Sequence, residues 1–202
     1  MKDAIKKILV GAESKIHEIL PEIKLLTVIE EDPEQCIPEL GISGSYTKSD
    51  RTIQIWFDSN CKFLKENLEE QVTRSFAHEY MHAFREEKIP WEGCTLLEAL
   101  IAEGLTQHFE TEVWHGGKPA PYSTHLTPKE LDHVWNRAQT ELSSSDFDYN
   151  AWFFGSENAD LKRWTGYSLG YWLVGNHLNT SGLPSSKLGQ TPAQEFLSKQ
   201  LA

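Results

Sequence analysis

The sequence predicts an α+β fold in which a small N-terminal β-sheet lobe is followed by a mainly helical lobe. Three short runs before residue 60, rich in branched side chains or alternating in polarity, predict strands. Longer stretches at residues 67–88 and 95–110 have the apolar spacing and capping residues of helices, and further helical patterns follow. With 202 residues the chain can bury one core, so we expect a single domain over residues 1–202, with lobes at about 1–90 and 91–202.

Composition and charge argue against several classes of partner. Lys and Arg total 19 against 30 Asp and Glu, a formal net charge of -11, which argues against nucleic acid and anionic membrane as main partners. No apolar run has the length of a signal-peptide core or a membrane span, so we expect a cytoplasmic protein. The three cysteines are odd in number and far apart, which excludes a disulfide framework. Nothing in the sequence indicates an oligomeric state.

The N-terminal third predicts one helix and three strands. From Asp3 to Leu20 apolar residues recur at helical spacing, and the glutamates between them favour core packing over membrane-surface binding. Residues 25–29 predict a strand, since they are rich in branched side chains and lie between proline-containing segments. Residues 42–47 and 51–57 predict a hairpin with one buried face, because apolar and polar residues alternate in the second run.

The helix predicted at residues 67–88 contains His78-Glu79-x-x-His82. Asn67 and Glu70 have the spacing of a capping box at its start. Four residues on a helix place both imidazoles on one face, where neutral nitrogens can bind one zinc ion, and Glu79 can then reach a zinc-activated water. This is the zinc metallopeptidase signature. The alternative is an amphipathic helix with two exposed histidines.

Two glutamates on the next predicted helix compete as a third zinc ligand. Glu98 and Glu103 are five residues apart, so they point about 140° away from each other and one helix face cannot offer both. Thr95-x-x-Glu98 is itself a capping box, which gives Glu98 a local role and favours Glu103. Gly104 would let this helix approach the histidine helix closely enough for a short carboxylate to reach the metal.

At this point the chain resembles the gluzincin metallopeptidases, and in particular the DUF2268 family of predicted Zn-dependent proteases. The resemblance covers about residues 67–178 and rests on two motifs, His78-Glu79-x-x-His82-x-x-Arg85 and Leu97-Glu98-x-Leu100-Ile101-x-Glu103-Gly104-Leu105. It implies a zincin-like fold, with the catalytic helix packed against the helical lobe, and places the third ligand at Glu103. In such peptidases a sheet edge beside the catalytic helix can bind an extended substrate. The sequence does not show which strand lies at the edge, and a plain packing hairpin is the alternative.

A tyrosine on a later helix is a candidate for stabilising the transition state. Tyr167-x-x-Gly170 resembles a segment of some gluzincin aminopeptidases in which the tyrosine has this role. A phenol placed within about 3 Å of the carbonyl oxygen would stabilise the negative charge that develops there. Tyr171 on the same face and His177 nearby are alternatives, and so is a core role for these side chains.

The predicted function is zinc-dependent peptide-bond hydrolysis. His78, His82 and Glu103 would bind one Zn²⁺ per chain, Glu79 would act as general base, and Tyr167 would stabilise the oxyanion. The expected partner is a peptide or protein substrate. Two alternatives remain open, namely a non-catalytic zinc-binding or protein-interaction module on a zincin fold, and a zinc hydrolase of non-peptide amides or esters.

Overall fold

The computed structural model describes residues 1–197, which form an α+β fold with a three-stranded sheet and a mainly helical body. The chain divides into two compact units. The first contains Met1–Glu86 and Phe109–Gly117, and the second contains Glu87–His108 and the described chain from Lys118 to residue 197. The prediction of one domain spanning the whole chain stays a prediction.

The first unit is built on a small mixed sheet with three helices. Its elements are α1 (Lys2–His17), β1 (Leu26–Glu31), β2 (Ile42–Thr47), β3 (Thr52–Phe57), α2 (Lys62–Glu66) and α3 (Leu68–Glu86). The strand order is β1-β3-β2, with β1 parallel and β2 antiparallel to β3. The predicted hairpin is therefore confirmed, and β2 is an edge strand of this sheet.

Alternating burial explains why these segments form a sheet and its covering helices. Ile53, Ile55 and Phe57 of β3 are all buried, while Gln54 and Trp56 between them are partly exposed. The apolar stripe of α1 is buried in the same unit, which confirms core packing for this helix. Among the described residues, no helix combines the length and the apolar character needed to cross a bilayer.

The second unit is helical. It holds the first three-quarters of α4 (Leu96–Val113), followed by α5 (Pro128–Ala138), α6 (Tyr149–Phe154), α7 (Thr165–Ser181), α8 (Ser185–Leu188) and a 3₁₀ turn (Ala193–Phe196). The backbones of α4 and α7 are in close contact at Gly104 and Gly170. A Cβ on Gly104 would lie only 2.2 Å from the Gly170 carbonyl oxygen. Gly104 was expected to serve the approach of the histidine helix. In the structure, the absence of a Cβ on Gly104 instead allows α4 to approach α7.

One of the two predicted capping boxes is present, and α5 begins with a further one. The Thr95 backbone N–H donates to Glu98 at 2.7 Å, and the equivalent pair at the start of α5 is also formed. The box predicted at Asn67 is wrong, since the Asn67 side-chain amide donates to the Phe63 carbonyl oxygen at 2.9 Å. The reason is that α2 ends directly before α3, so Asn67 closes the preceding helix.

Candidate metal and catalytic site

Helix α3 holds the two histidines on one face. Its opposite face is anchored by the buried side chains of Val72, Phe76 and Tyr80. The Nε2 atoms of His78 and His82 are 3.2 Å apart. Two nitrogens that each lie 2.0–2.1 Å from one zinc ion in tetrahedral geometry would be separated by about 3.3 Å. The observed spacing therefore fits zinc binding through both Nε2 atoms.

A buried charged network fixes the orientation of the first histidine. Glu110 of α4, only 1% exposed, accepts a hydrogen bond from His78 Nδ1 at 2.8 Å. The other carboxylate oxygen of Glu110 accepts from Arg74 Nε and Nη2 at 3.2 and 2.9 Å, and Arg74 also pairs with Glu70. Because a carboxylate only accepts, Nδ1 carries the proton, which leaves the Nε2 lone pair of His78 for a metal.

Sequence reasoning missed Glu110 and Arg74, although both left a periodic signal. Arg74 precedes His78 by four residues and therefore lies on the same face of α3. Glu110 follows Glu103 by seven residues, almost two full turns, so the two carboxylates lie on one face of α4. These spacings could have suggested that a guanidinium and a second carboxylate lie near the zinc ligands. They do not identify which residue each of these groups contacts.

The structure groups Glu103 with both histidines. One ligand atom from each of His78, His82 and Glu103 lies within 4.8 Å of the other two, and Glu103 is 3% exposed. Glu98, the competing glutamate, has its carboxylate engaged in the helix cap. Two imidazoles and a carboxylate are a usual catalytic zinc set. This cluster could therefore hold a metal ion.

Glu103 also has a phenol partner, which no local pattern in the sequence indicates. The Tyr149 hydroxyl donates to Glu103 Oε1 at 3.2 Å, across 46 residues of sequence. Burial, and after it the nearby Glu103 charge, raises the pKa of Tyr149 well above its ordinary value. A side-chain hydrogen bond with Tyr167 adds to this pKa shift. Glu103, Tyr149 and Tyr167 thus form one connected set.

The three candidates on α7 have different surroundings. Tyr167 is the hydrogen-bond partner of Tyr149, as just described. The ring of Tyr171 stacks on His108, with centroids 4.1 Å apart and planes 5° from parallel. The ring of His177 packs against that of Phe196, with centroids 4.6 Å apart. The rings of Tyr167 and Tyr149 both pack against Phe153, with centroids 5.0 and 4.4 Å away, which brings Tyr167 close to the phenol that bonds to Glu103.

Glu79 lies against the edge strand of the sheet. It is 6% exposed, and a Cβ added to Gly44 of β2 would lie 2.7 Å from Glu79 Cγ. Gly41 O accepts from Asp58 N, whereas Ile42 O accepts from Ile37 N on the other side of β2. Because backbone groups alternate along an antiparallel strand, the N–H and C=O of Gly44 point to the outer edge, away from β3.

Comparisons with known proteins give one match. A family model described as "Predicted Zn-dependent protease (DUF2268)" matches residues 2–198, which extends well beyond residues 67–178, where the motif resemblance was found. No curated protein and no solved structure matches the chain.

Proposed function

Since the chain belongs to the DUF2268 family of predicted Zn-dependent proteases, we propose that it is a gluzincin-type zinc metallopeptidase with a zincin-like arrangement. His78, His82 and Glu103 are its zinc ligands. The observation that carries the proposal is the convergence of three ligand atoms within 4.8 Å, two of them imidazole nitrogens at zinc-compatible spacing. Their chemistry, two neutral nitrogens and one carboxylate, suits zinc and leaves the ion a net positive charge.

Bound zinc would lower the pKa of a water molecule to about 7 and polarise the substrate carbonyl. Glu79 takes the proton of the attacking water as the new carbon–oxygen bond forms. It then passes that proton to the departing nitrogen, so that the carbon–nitrogen bond breaks to give an amine and a carboxylate. Tyr167 donates a hydrogen bond to the carbonyl oxygen while that oxygen carries negative charge.

The edge strand supports a peptide as the substrate. The backbone groups of Gly44 point outward next to Glu79, where an extended peptide can add to the sheet by main-chain hydrogen bonds. Such pairing needs a chain of peptide groups, which a small amide or ester lacks. The position of Gly44 therefore favours peptide hydrolysis over the hydrolysis of non-peptide acyl compounds.

A purely structural zinc site would close its coordination with a fourth protein ligand. Within residues 1–197, no further His, Cys, Asp or Glu atom joins the group formed by His78, His82 and Glu103. An open fourth position is the mark of a catalytic site. This favours an enzyme over a non-catalytic module.

The test compares the parent protein with Glu79→Gln. Metal content is measured by elemental analysis, and cleavage of an unfolded protein and a peptide library is followed by mass spectrometry, with and without a chelator. We expect one zinc per chain in both proteins and chelator-sensitive cleavage by the parent alone. Equal cleavage by both would exclude Glu79 as the base.

Two matched variants on α4 test the ligand assignment. Glu103→Gln should lose zinc, whereas Glu98→Gln, the same change five residues away, should keep zinc and lose only about 1 kcal/mol of stability with its cap. Zinc retained by Glu103→Gln would contradict the ligand set. Zinc in the parent with no cleavage of any peptide would favour the non-catalytic module.

A further inference from the structure

Tyr149 holds its hydroxyl in a fixed place beside Glu103. Its ring stacks on Phe153, with centroids 4.4 Å apart, and meets the edge of Trp91 at 5.9 Å. Asp148 caps the short helix α6 by accepting from Ala151 N at 2.9 Å, which fixes the backbone directly before Tyr149. With ring and backbone both held, the hydroxyl points at Glu103 Oε1, 3.2 Å away.

We propose that Tyr149 is a positioning residue that orients the Glu103 carboxylate for the metal. The inference rests on the proposed role of Glu103 as a zinc ligand. A carboxylate can bind zinc through either oxygen or both, and a hydrogen bond to one oxygen favours binding through the other. Groups that hydrogen-bond to metal ligands in this way commonly change metal affinity by about 10–100-fold.

Tyr149 acts on this ligand directly, because its hydroxyl donates to Glu103 Oε1. Tyr167 has a different proposed role, since its hydroxyl would donate to the carbonyl oxygen of the substrate.

Two hydroxyl deletions should consequently differ. Tyr149→Phe keeps the ring contacts with Phe153 and Trp91 and removes only the donor to Glu103, so we expect the zinc dissociation constant to rise about 10–100-fold. Tyr167→Phe should change that constant by less than about threefold, because Glu103 keeps its own donor. Affinities are measured by competition with a chromophoric chelator.

The visible absorption spectrum of the Co²⁺-substituted protein distinguishes a positioning role of Tyr149 from a purely structural one. Loss of a purely structural contact would leave that spectrum unchanged. The visible absorption bands report the ligand geometry, and we expect them to shift in Tyr149→Phe. Tyr80→Phe is the matched control, since the Tyr80 hydroxyl is also buried but bonds only to backbone atoms, Pro21 O and Ile23 N. This control should melt at a lower temperature while keeping the parental zinc affinity and Co²⁺ spectrum.

The outcomes separate this inference from the proposed function. If Glu103→Gln binds zinc as tightly as the parent, Glu103 is not a ligand and the proposed site fails first. If Glu103→Gln loses zinc while a folded Tyr149→Phe keeps the parental affinity or the parental Co²⁺ spectrum, the positioning role is overturned. Circular dichroism melting curves of each variant establish that it is folded.

Discussion

Replacing Gly44 with alanine should disable the proposed general base without touching a zinc ligand. A Cβ at this position would lie 2.7 Å from Cγ, 3.2 Å from Cδ and 3.0 Å from Oε1 of Glu79. The backbone of Gly44 is not in the left-handed region, so alanine can adopt it without strain. The nearest conflict is therefore with the Glu79 side chain.

The size of the effect follows from these distances. Carbon atoms in contact pack at about 3.5–4.0 Å, so Glu79 Cγ has to move by about 1 Å to admit the methyl group. A displacement of about 1 Å at a catalytic group can lower the rate about 100-fold, which corresponds to about 2.7 kcal/mol. Because the three atoms nearest to the new methyl group all belong to Glu79 and none to His78 or His82, we expect zinc content to stay at the parental level.

The assay is kcat on a cleaved peptide, with zinc content and a denaturant curve for each variant. Gly11→Ala is the matched control, since nothing lies within 4 Å of a Cβ there and alanine should stabilise α1 by about 0.5–1 kcal/mol. Parental kcat in Gly44→Ala, with zinc bound, would refute the placement of Glu79 against β2.

Three further outcomes are expected. Glu110→Gln should weaken zinc binding about 10–100-fold, because the carboxylate that orients His78 is lost, as a chelator titration would show. Gly104→Ala should destabilise the protein by about 3 kcal/mol in urea unfolding, since its Cβ would lie 2.2 Å from the Gly170 carbonyl oxygen. Burial, followed by the charge of Asp58, raises the pKa of Cys36 to about 11, so this thiol should react with alkylating reagents at pH 8 far more slowly than the other cysteines, by mass spectrometry.

For each of these three predictions, one experimental result would contradict the reasoning. Unchanged zinc affinity in a folded Glu110→Gln would mean that the hydrogen bond to His78 does not support the metal. An unfolding midpoint of Gly104→Ala equal to that of Gly11→Ala would rule out the close approach of α4 and α7. Equal alkylation rates for Cys36 and the partly exposed Cys61 would contradict the burial of Cys36.

The features that the sequence predicted correctly depend on neighbours within a few residues. The box of Thr95 and Glu98 is local, and the structure contains it, with the Glu98 carboxylate bonded at the start of α4. The hairpin of β2 and β3 follows from alternation around a four-residue turn, residues 48–51. Asn67 shows the limit of such rules, because the end of α2 competed for the same side chain.

What could not be predicted depends on partners distant in sequence. Gly104 carries a clear signal for close packing, but nothing in one sequence says whether the neighbour is α3 or α7. The contact of Tyr149 with Glu103 spans 46 residues, and that of Glu110 with His78 spans 32. A single chain shows which residues have suitable chemistry. Which of them meet is decided by tertiary packing.

The outward-facing groups of β2 that would receive a substrate are equally suited to a strand from another copy of this protein. Open strand edges are common starting points for aggregation, and proteins usually protect them with charges, prolines or short length. Here β2 has only six residues, and its sequence, Ile42-Ser-Gly-Ser-Tyr-Thr47, has one branched aliphatic side chain. The short length of β2 and the small residues at its centre, Ser43, Gly44 and Ser45, therefore restrain self-association. Substitutions that make β2 a better strand former should promote aggregation even where they leave the active site intact.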